Sequence, residues 1–209
     1  MTTKVLNLYA GIGGNRKLWD DVDVTAVEWD EDKAEVYRDH FPNDEVVVTD
    51  AHEYLKEHYN EYDFIWASPP CPTHSKMRHH INQNVDDVYP DMSLYQERIF
   101  LHHNFTGDYA IENVDPYYDS MFNPVKRGRH LFWSNYHIPE IEISGQGIEN
   151  TGAPVDKVAS FESKYGFDTS GYDLGLQKRR KMLLNCVHPQ LGKHVFDAAT
   201  KNRQTTLDF

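Results

Sequence analysis

A single thiol stands where this chain could do chemistry. Cys71 lies in Ala67-Ser68-Pro69-Pro70-Cys71-Pro72, directly after the apolar run Tyr62-Asp63-Phe64-Ile65-Trp66, which reads as a buried strand. Ligands of open α/β sheets bind beyond the carboxyl ends of the strands, so a cysteine delivered there is a candidate nucleophile. An acid, Glu112, is carried toward the same edge by the apolar segment Tyr109 to Val114. Gln177 to Cys186 reads as a late strand on which Gln177, Arg179 and Lys181 alternate onto one face. Three polar groups on one face mark either a site or the solvated side of an edge strand.

The elements that must position these groups alternate strand and helix. Lys4 to Tyr9 reads as a first strand, Ala10-Gly11-Ile12-Gly13-Gly14 as a glycine-rich turn, and Asn15 to Asp20 as the start of a helix. Glycines in such a turn let backbone approach a ligand and offer it N–H groups. Val22 to Val27 is a second strand running into Glu28-Trp29. An acid at that place can grip ribose hydroxyls, and Trp29 can stack on an adenine; the alternative is a surface acid beside a core Trp. Glu31 to His40 is helical, Glu45 to Asp50 is a third strand, and Asp50 caps a helix over Ala51 to Tyr59. Strands alternating with helices make a Rossmann-like half-sheet suited to a nucleoside-containing cofactor. No lysine follows the glycine turn in the manner of a P-loop.

Further along, 72–91 reads as a polar loop over the site, Met92 to His103 as an amphipathic helix, and Asp115 to Gly128 as loop. Short strand signals occur at Leu131 to Trp133 and Ile138 to Ile143, and helices at Val155 to Tyr165 and Pro189 to Thr200. Residues 1–200 are expected to form one catalytic domain, with 201–209 as a flexible tail.

Composition narrows the class. Hydrophobic residues make up 39% and charged residues 26% of the 209, as in ordinary globular proteins. Two cysteines, Cys71 and Cys186, make no disulfide framework, and the N-terminus carries no secretory h-region, so a cytoplasmic location is expected. The formal net charge of -12 argues against nonspecific nucleic-acid binding. Positive charge nevertheless clusters at 76–80, 126–130 and 178–181, where Lys76, Arg78, Arg129 and His130 are candidates for holding a phosphate backbone, or are solvated loop patches. No His-Glu-x-x-His or Cys-x-x-Cys occurs, so no metal is expected.

In this order the segments resemble the DNA (cytosine-5)-methyltransferases. Leu8-Tyr9-Ala10-Gly11-Ile12-Gly13-Gly14 is similar to the family's first motif, with Tyr9 where Phe is common; Glu28-Trp29 and Asp50-Ala51 are similar to the second and third. Ser68-Pro69-Pro70-Cys71 resembles the nucleophile loop, Glu112-Asn113-Val114 the sixth motif, and Gln177-Lys178-Arg179-Arg180-Lys181 the eighth. The resemblance implies a Rossmann-like S-adenosylmethionine-dependent methyltransferase fold, a mixed central sheet flanked by helices. It implies S-adenosyl-L-methionine as methyl donor, DNA as partner and a flipped-out cytosine as acceptor. Cys71 would add to C6, Glu112, as a neutral acid or through a shared proton, would bond the ring near N3 and the exocyclic amine, Asn113 would fix the loop, Arg179 would donate to O2, and Lys181 stands where a second Arg is usual. Tyr9, Ala10, Gly11, Gly13, Gly14, Glu28, Trp29, Asp50, Ala51, Ser68 and Pro69 would hold the donor; Asn113 and Gln177 join the nucleic-acid contacts.

The chain departs from the family at two places. Pro72 replaces the usual Gln, and only a short stretch follows Cys186, leaving no room there for a separate target-recognition region. The expectation is a short, virus-like form whose specificity resides in 72–91, in 115–175 or in a partner. Gln204-Thr205-Thr206-Leu207-Asp208-Phe209 resembles peptides that dock on sliding clamps through Gln204, Leu207 and Phe209. The rival readings are the same chemistry on RNA and a non-catalytic donor-binding subunit.

Overall fold

The parallel strands come first. In a computed structural model describing residues 2–76, 88–143 and 154–207, β1 (Thr3–Leu8), β2 (Val22–Val27), β3 (Glu45–Val47), β4 (Phe64–Ala67) and β5 (Asp108–Val114) pair in parallel. An antiparallel hairpin, β6 (Val125–Arg127) and β7 (His130–Ser134), completes a sheet of order β3-β2-β1-β4-β5-β7-β6. The fold is Rossmann-like, a mixed seven-stranded sheet flanked by helices, and the chain reverses direction across the sheet between β1 and β4. Such a switch point opens a crevice at the carboxyl ends of the strands.

Burial on both sides explains the apolar runs. Leu6, Leu8, Ile65, Ala67, Tyr109 and Ile111 face one side, covered by α2 (Ala51–His58) and α3 (Ser93–Asn104) through Leu55, Leu94 and Leu101. Val5, Val24, Phe64, Trp66 and Phe132 face the other, covered by α6 (Pro189–Leu207) through Leu191, Val195 and Phe196. On that side α1 (Glu31–His40) sets Tyr37 against Ala26. Helices α4 (Pro154–Tyr165) and α5 (Leu176–Leu184) share a third cluster of Ile12, Phe161, Tyr165, Met182, Leu183 and Cys186. Among the described residues no helix is long and apolar enough to cross a membrane.

The helix expected from Asn15 does not form. Gly13 sits at φ 84, and the chain continues through turns closed by Arg16 N–H to Gly13 C=O (3.1 Å) and Trp19 N–H to Arg16 C=O (3.0 Å). A side chain at Gly13 would collide with the rings of Phe41 and Tyr37. Asn15 turns inward instead, donating from Nδ2 to Asn7 Oδ1 at 2.8 Å, and Arg16 pairs with Asp44 at 2.9 Å.

The expected late strand is α5. Leu176 to Leu184 contains no β-branched or aromatic residue, only good helix formers, and its apolar positions Met182 and Leu183 bury against α4. The supposed loop before Gly128 contains β6, and Ile138 to Ile143 has no strand. The backbone of α6 runs on to Leu207, so Gln204 and Leu207 sit on a helix where an extended tail was expected; Phe209 lies outside the described residues. So do 77–87, within the expected polar loop, and 144–153.

Helix α6 meets the glycine turn at Gly192, where an added Cβ would lie 2.2 Å from the Asn15 carbonyl oxygen and 2.6 Å from its Cα. That clash is with backbone, so Gly192→Ala is expected to destabilise the protein by about 1–3 kcal/mol, read as a lower urea midpoint at unchanged m-value.

Candidate active site

The loops after β1 and β4 open into one cavity of about 660 Å³. The β1–β4 register forces their meeting: Leu8 pairs with Ala67, and Ser68 N–H donates to the Leu8 carbonyl at 3.3 Å. One arm of the cavity is lined by Tyr9, Ala10, Gly11, Glu28, Trp29, Asp50 and Ala51; the other by Ser68, Pro69, Cys71, Glu112, Asn113, Arg129, His130 and Lys181. Gly14, Met182 and the segment Leu184 to Val187 also line it.

The first arm has the chemistry to hold a nucleoside. Glu28 is buried at the end of β2 and accepts from Gly11 N–H (2.9 Å), Asp30 N–H (3.0 Å) and Lys33 Nζ (3.2 Å). It thus ties the glycine turn to α1 while facing the cavity. Trp29 is 77% exposed, an open aromatic plate at the wall and not a core residue. Asp50 caps α2 by accepting from Glu53 N–H at 3.0 Å. Tyr9 is held in the left-handed region at φ 56, and its hydroxyl donates to Glu97. Glu97, which sequence reasoning missed, is nearly inaccessible, so burial raises its carboxyl above the ordinary range; His52 Nδ1 also contacts it at 3.1 Å. Gly13 does not line the cavity; it is turned toward α1.

In the second arm the loop that carries Cys71 is pinned from several sides. Asn113 Nδ2 donates to the Pro69 carbonyl at 2.9 Å, while its Oδ1 accepts from Val114 N–H at 2.8 Å. Buried Asn113 is committed to that loop. After Cys71 the chain turns, with His74 and Ser75 N–H both donating to the Cys71 carbonyl (3.0 and 3.1 Å). His74 Nδ1 then meets Tyr118 hydroxyl at 2.6 Å.

The cavity's arginine is Arg129, at the β6–β7 turn, and not Arg179. On a helix, residues two apart point in different directions. Lys181 faces the cavity, whereas Arg179 reaches away to Glu162 (2.9 Å) and Thr169 Oγ1 (2.8 Å). Gln177 is exposed on α5 outside the cavity lining. Arg129 donates from Nη2 to the Leu184 carbonyl at 3.0 Å and from Nε to His130 Nε2 at 3.2 Å. His130 Nδ1 lies 2.5 Å from Glu112 Oε1. His130, a candidate for holding a phosphate backbone, is buried and lines the cavity. Lys76 pairs with Asp115 at 2.9 Å, as does Lys126 at 3.0 Å, and Arg78 lies outside the described residues.

Electrostatics separate the two reactive groups. Burial alone would raise the Glu112 carboxyl, but the charge and hydrogen bond of His130, the Ser68 hydroxyl and Arg129 outweigh it and hold the group low. Cys71 goes the other way. Burial pushes its thiol up and Glu112 adds to this; a backbone N–H, Arg129 and Lys181 offset only part. Cys186 is pushed up to about 12 by burial. Because both thiols are raised, protonated forms prevail at neutral pH. Carboxymethylation by iodoacetate is expected to label Cys71 increasingly as pH rises past the ordinary thiol range, with Cys186 spared, as peptide mapping will show. Lys181→Gln should move the Cys71 midpoint higher.

Residues 3–115, just over half of the chain, match the family of C-5 cytosine-specific DNA methylases. The match takes in the glycine turn, Glu28, Asp50, Cys71 and Glu112 and ends before Arg129. No curated protein matches the chain. Among solved structures, DNMT2 of Spodoptera frugiperda is 26% identical, with 57% of this chain and 38% of that one covered and a TM-score of 0.40. A putative DNA modification methyltransferase encoded within an E. coli prophage is 20% identical, with 58% and 35% covered and a TM-score of 0.37. The plantazolicin methyltransferase BamL is 11% identical, with 54% and 38% covered and a TM-score of 0.36. The chain thus spans well under half the length of these three. With the matched segment supplying Cys71, Glu112 and the glycine turn to a single cleft, the chain belongs to the C-5 cytosine-specific DNA methylases.

Proposed function

We propose that the protein methylates C5 of a flipped-out cytosine in DNA through a covalent bond between Cys71 and C6. The observation that carries this reading is the convergence of Cys71, Glu112 and Arg129 in one arm of a cavity whose other arm presents Glu28, Trp29 and Asp50. S-adenosylmethionine is the cofactor of the family, and the donor set fits it: a carboxylate for ribose hydroxyls, an aromatic plate for adenine, and acids beside a cationic ligand. When bound it supplies an electrophilic methyl group at its sulfonium.

Cytosine C5 is a weak nucleophile, and the residues of the second arm address that weakness. The Cys71 thiolate adds to C6, forming the S–C6 bond and moving the ring's electron pair toward C5 and N3. Glu112 and Arg129 border the place where that charge develops, the first through a proton shared with N3 while it accepts from the exocyclic amine, the second by donating to O2. Asn113 holds the Pro69–Cys71 backbone so that the sulfur approaches the ring face. Once C5 has taken the donor's methyl, leaving S-adenosyl-L-homocysteine, and has given its proton to a base, the S–C6 bond breaks and the thiolate is regenerated. Extruding the base from its stack costs a few kcal/mol.

DNA containing 5-fluorocytosine tests this, because fluorine at C5 cannot leave as a proton does. With donor present, wild type is expected to form a denaturation-resistant adduct that Cys71→Ser abolishes. A parallel RNA substrate separates the two nucleic acids. Arg129→Gln should slow adduct formation by about 100-fold, while Arg179→Gln leaves it close to wild type. The reverse ranking would return the O2 contact to Arg179, and no adduct on any strand with donor bound would refute the chemistry.

A further inference from the structure

We infer that His130 is the positioning residue of Glu112: wedged between Arg129 and the carboxyl group, its imidazole aims Nδ1–H at Oε1 and fixes Glu112 facing the base. The inference rests on the reading of Glu112 as the base-facing acid and assigns a role that the thiol chemistry alone does not require.

The placement is set by strand register. His130 opens β7 opposite Val114, and Glu112 lies opposite Phe132. Residues two apart on a strand share a face, so His130 and Glu112 are diagonal neighbours on one face of an antiparallel pair, within reach of a long side chain. Both side chains are under a tenth exposed, 7% and 9%, and Nδ1 and Oε1 stand 2.5 Å apart. Neither group has room to swing without leaving a buried polar atom unpaired.

The tautomer follows from the other side of the ring. Arg129 Nε lies 3.2 Å from His130 Nε2. A guanidinium only donates, which leaves Nδ1 as the ring nitrogen that points its proton at Glu112. Lys164 and Tyr165 on α4 and His188 ahead of α6 line the small cavity that Arg129 and His130 share. Around Glu112 stand Cys71, Arg129, Lys181 and the Ser68 hydroxyl, which itself accepts from Trp66 Nε1 at 2.8 Å. Two donors, His130 and Ser68, thus grip the carboxyl group. Held there, Glu112 meets an exocyclic amine where uracil or thymine would present a carbonyl.

The test reads Glu112 directly. Protein labelled with ¹³C-glutamate is titrated by NMR, the Glu112 carboxyl signal being assigned by its loss in Glu112→Gln. His130→Leu, which keeps the volume and removes the donor, is expected to move the Glu112 midpoint to higher pH. His130→Asn, whose amide nitrogen reaches the Nδ1 position, should bring it back toward wild type. An unchanged midpoint in His130→Leu, or equal displacement in both variants, overturns the inference. On 5-fluorocytosine DNA, His130→Leu is expected to slow adduct formation by about 100-fold at unchanged DNA affinity. If wild type forms no adduct, the proposed chemistry fails, while the NMR titration still decides whether His130 holds Glu112.

Discussion

Everything in this molecule depends on the parallel pairing of β1 with β4. Because Leu8 and Ala67 are register partners, the glycine turn and the nucleophile loop leave the sheet side by side at the one place where the strand order diverges. A slip of one residue would turn both loops to opposite faces. The register is specified by burial on both sides: Leu6, Leu8, Ile65 and Ala67 fill one face, while Val5, Phe64 and Trp66 fill the other. Asn7 is the polar exception, and its contact with Asn15 ties the turn back to the strand that launches it.

A second constraint is electrostatic. The chain is acidic overall, yet the arm holding Cys71 gathers Arg129, Lys181 and His130 around one buried carboxylate. An isolated carboxylate at that depth would take up a proton; Glu112 is held below its ordinary range because the donors around it more than compensate for burial. The hairpin β6–β7 exists in the right place to supply two of them, since Arg129 and His130 occupy its turn and first strand position. Arg127, one residue before that turn, is spent internally on the carbonyls of Ile138 and Pro139 and on Glu140, and so braces the hairpin against the chain that follows it.

The strands and their acids were legible in the sequence because their signal is local: apolar runs ending in Glu28, Asp50, Cys71 and Glu112 need no knowledge of the rest of the chain. The period-2 reading of Gln177, Arg179 and Lys181 failed for a physical reason. Alternation of polar residues mimics a strand there, although Leu-Gln-Lys-Arg-Arg-Lys-Met-Leu-Leu is helix-forming throughout. On a helix Arg179 and Lys181 diverge, and the arginine of the cavity comes from elsewhere. The right signal was present in Lys126-Arg127-Gly128-Arg129-His130, where a glycine between basic residues marks a hairpin turn; Gly128 adopts φ 59. What the sequence could not show is which cation meets Glu112, because that depends on the antiparallel register of β7 on β5. Glu97 escaped for the same reason, as only tertiary packing brings it to Tyr9.

Raised Cys71 and lowered Glu112 are two consequences of one arrangement. A carboxylate kept ionised beside a thiol disfavours the thiolate, and burial of the sulfur adds to the effect. Arg129 and Lys181 oppose both effects at the sulfur but offset only part of them, so the hairpin that carries Arg129 and His130 sets the balance between the thiol and the carboxyl group.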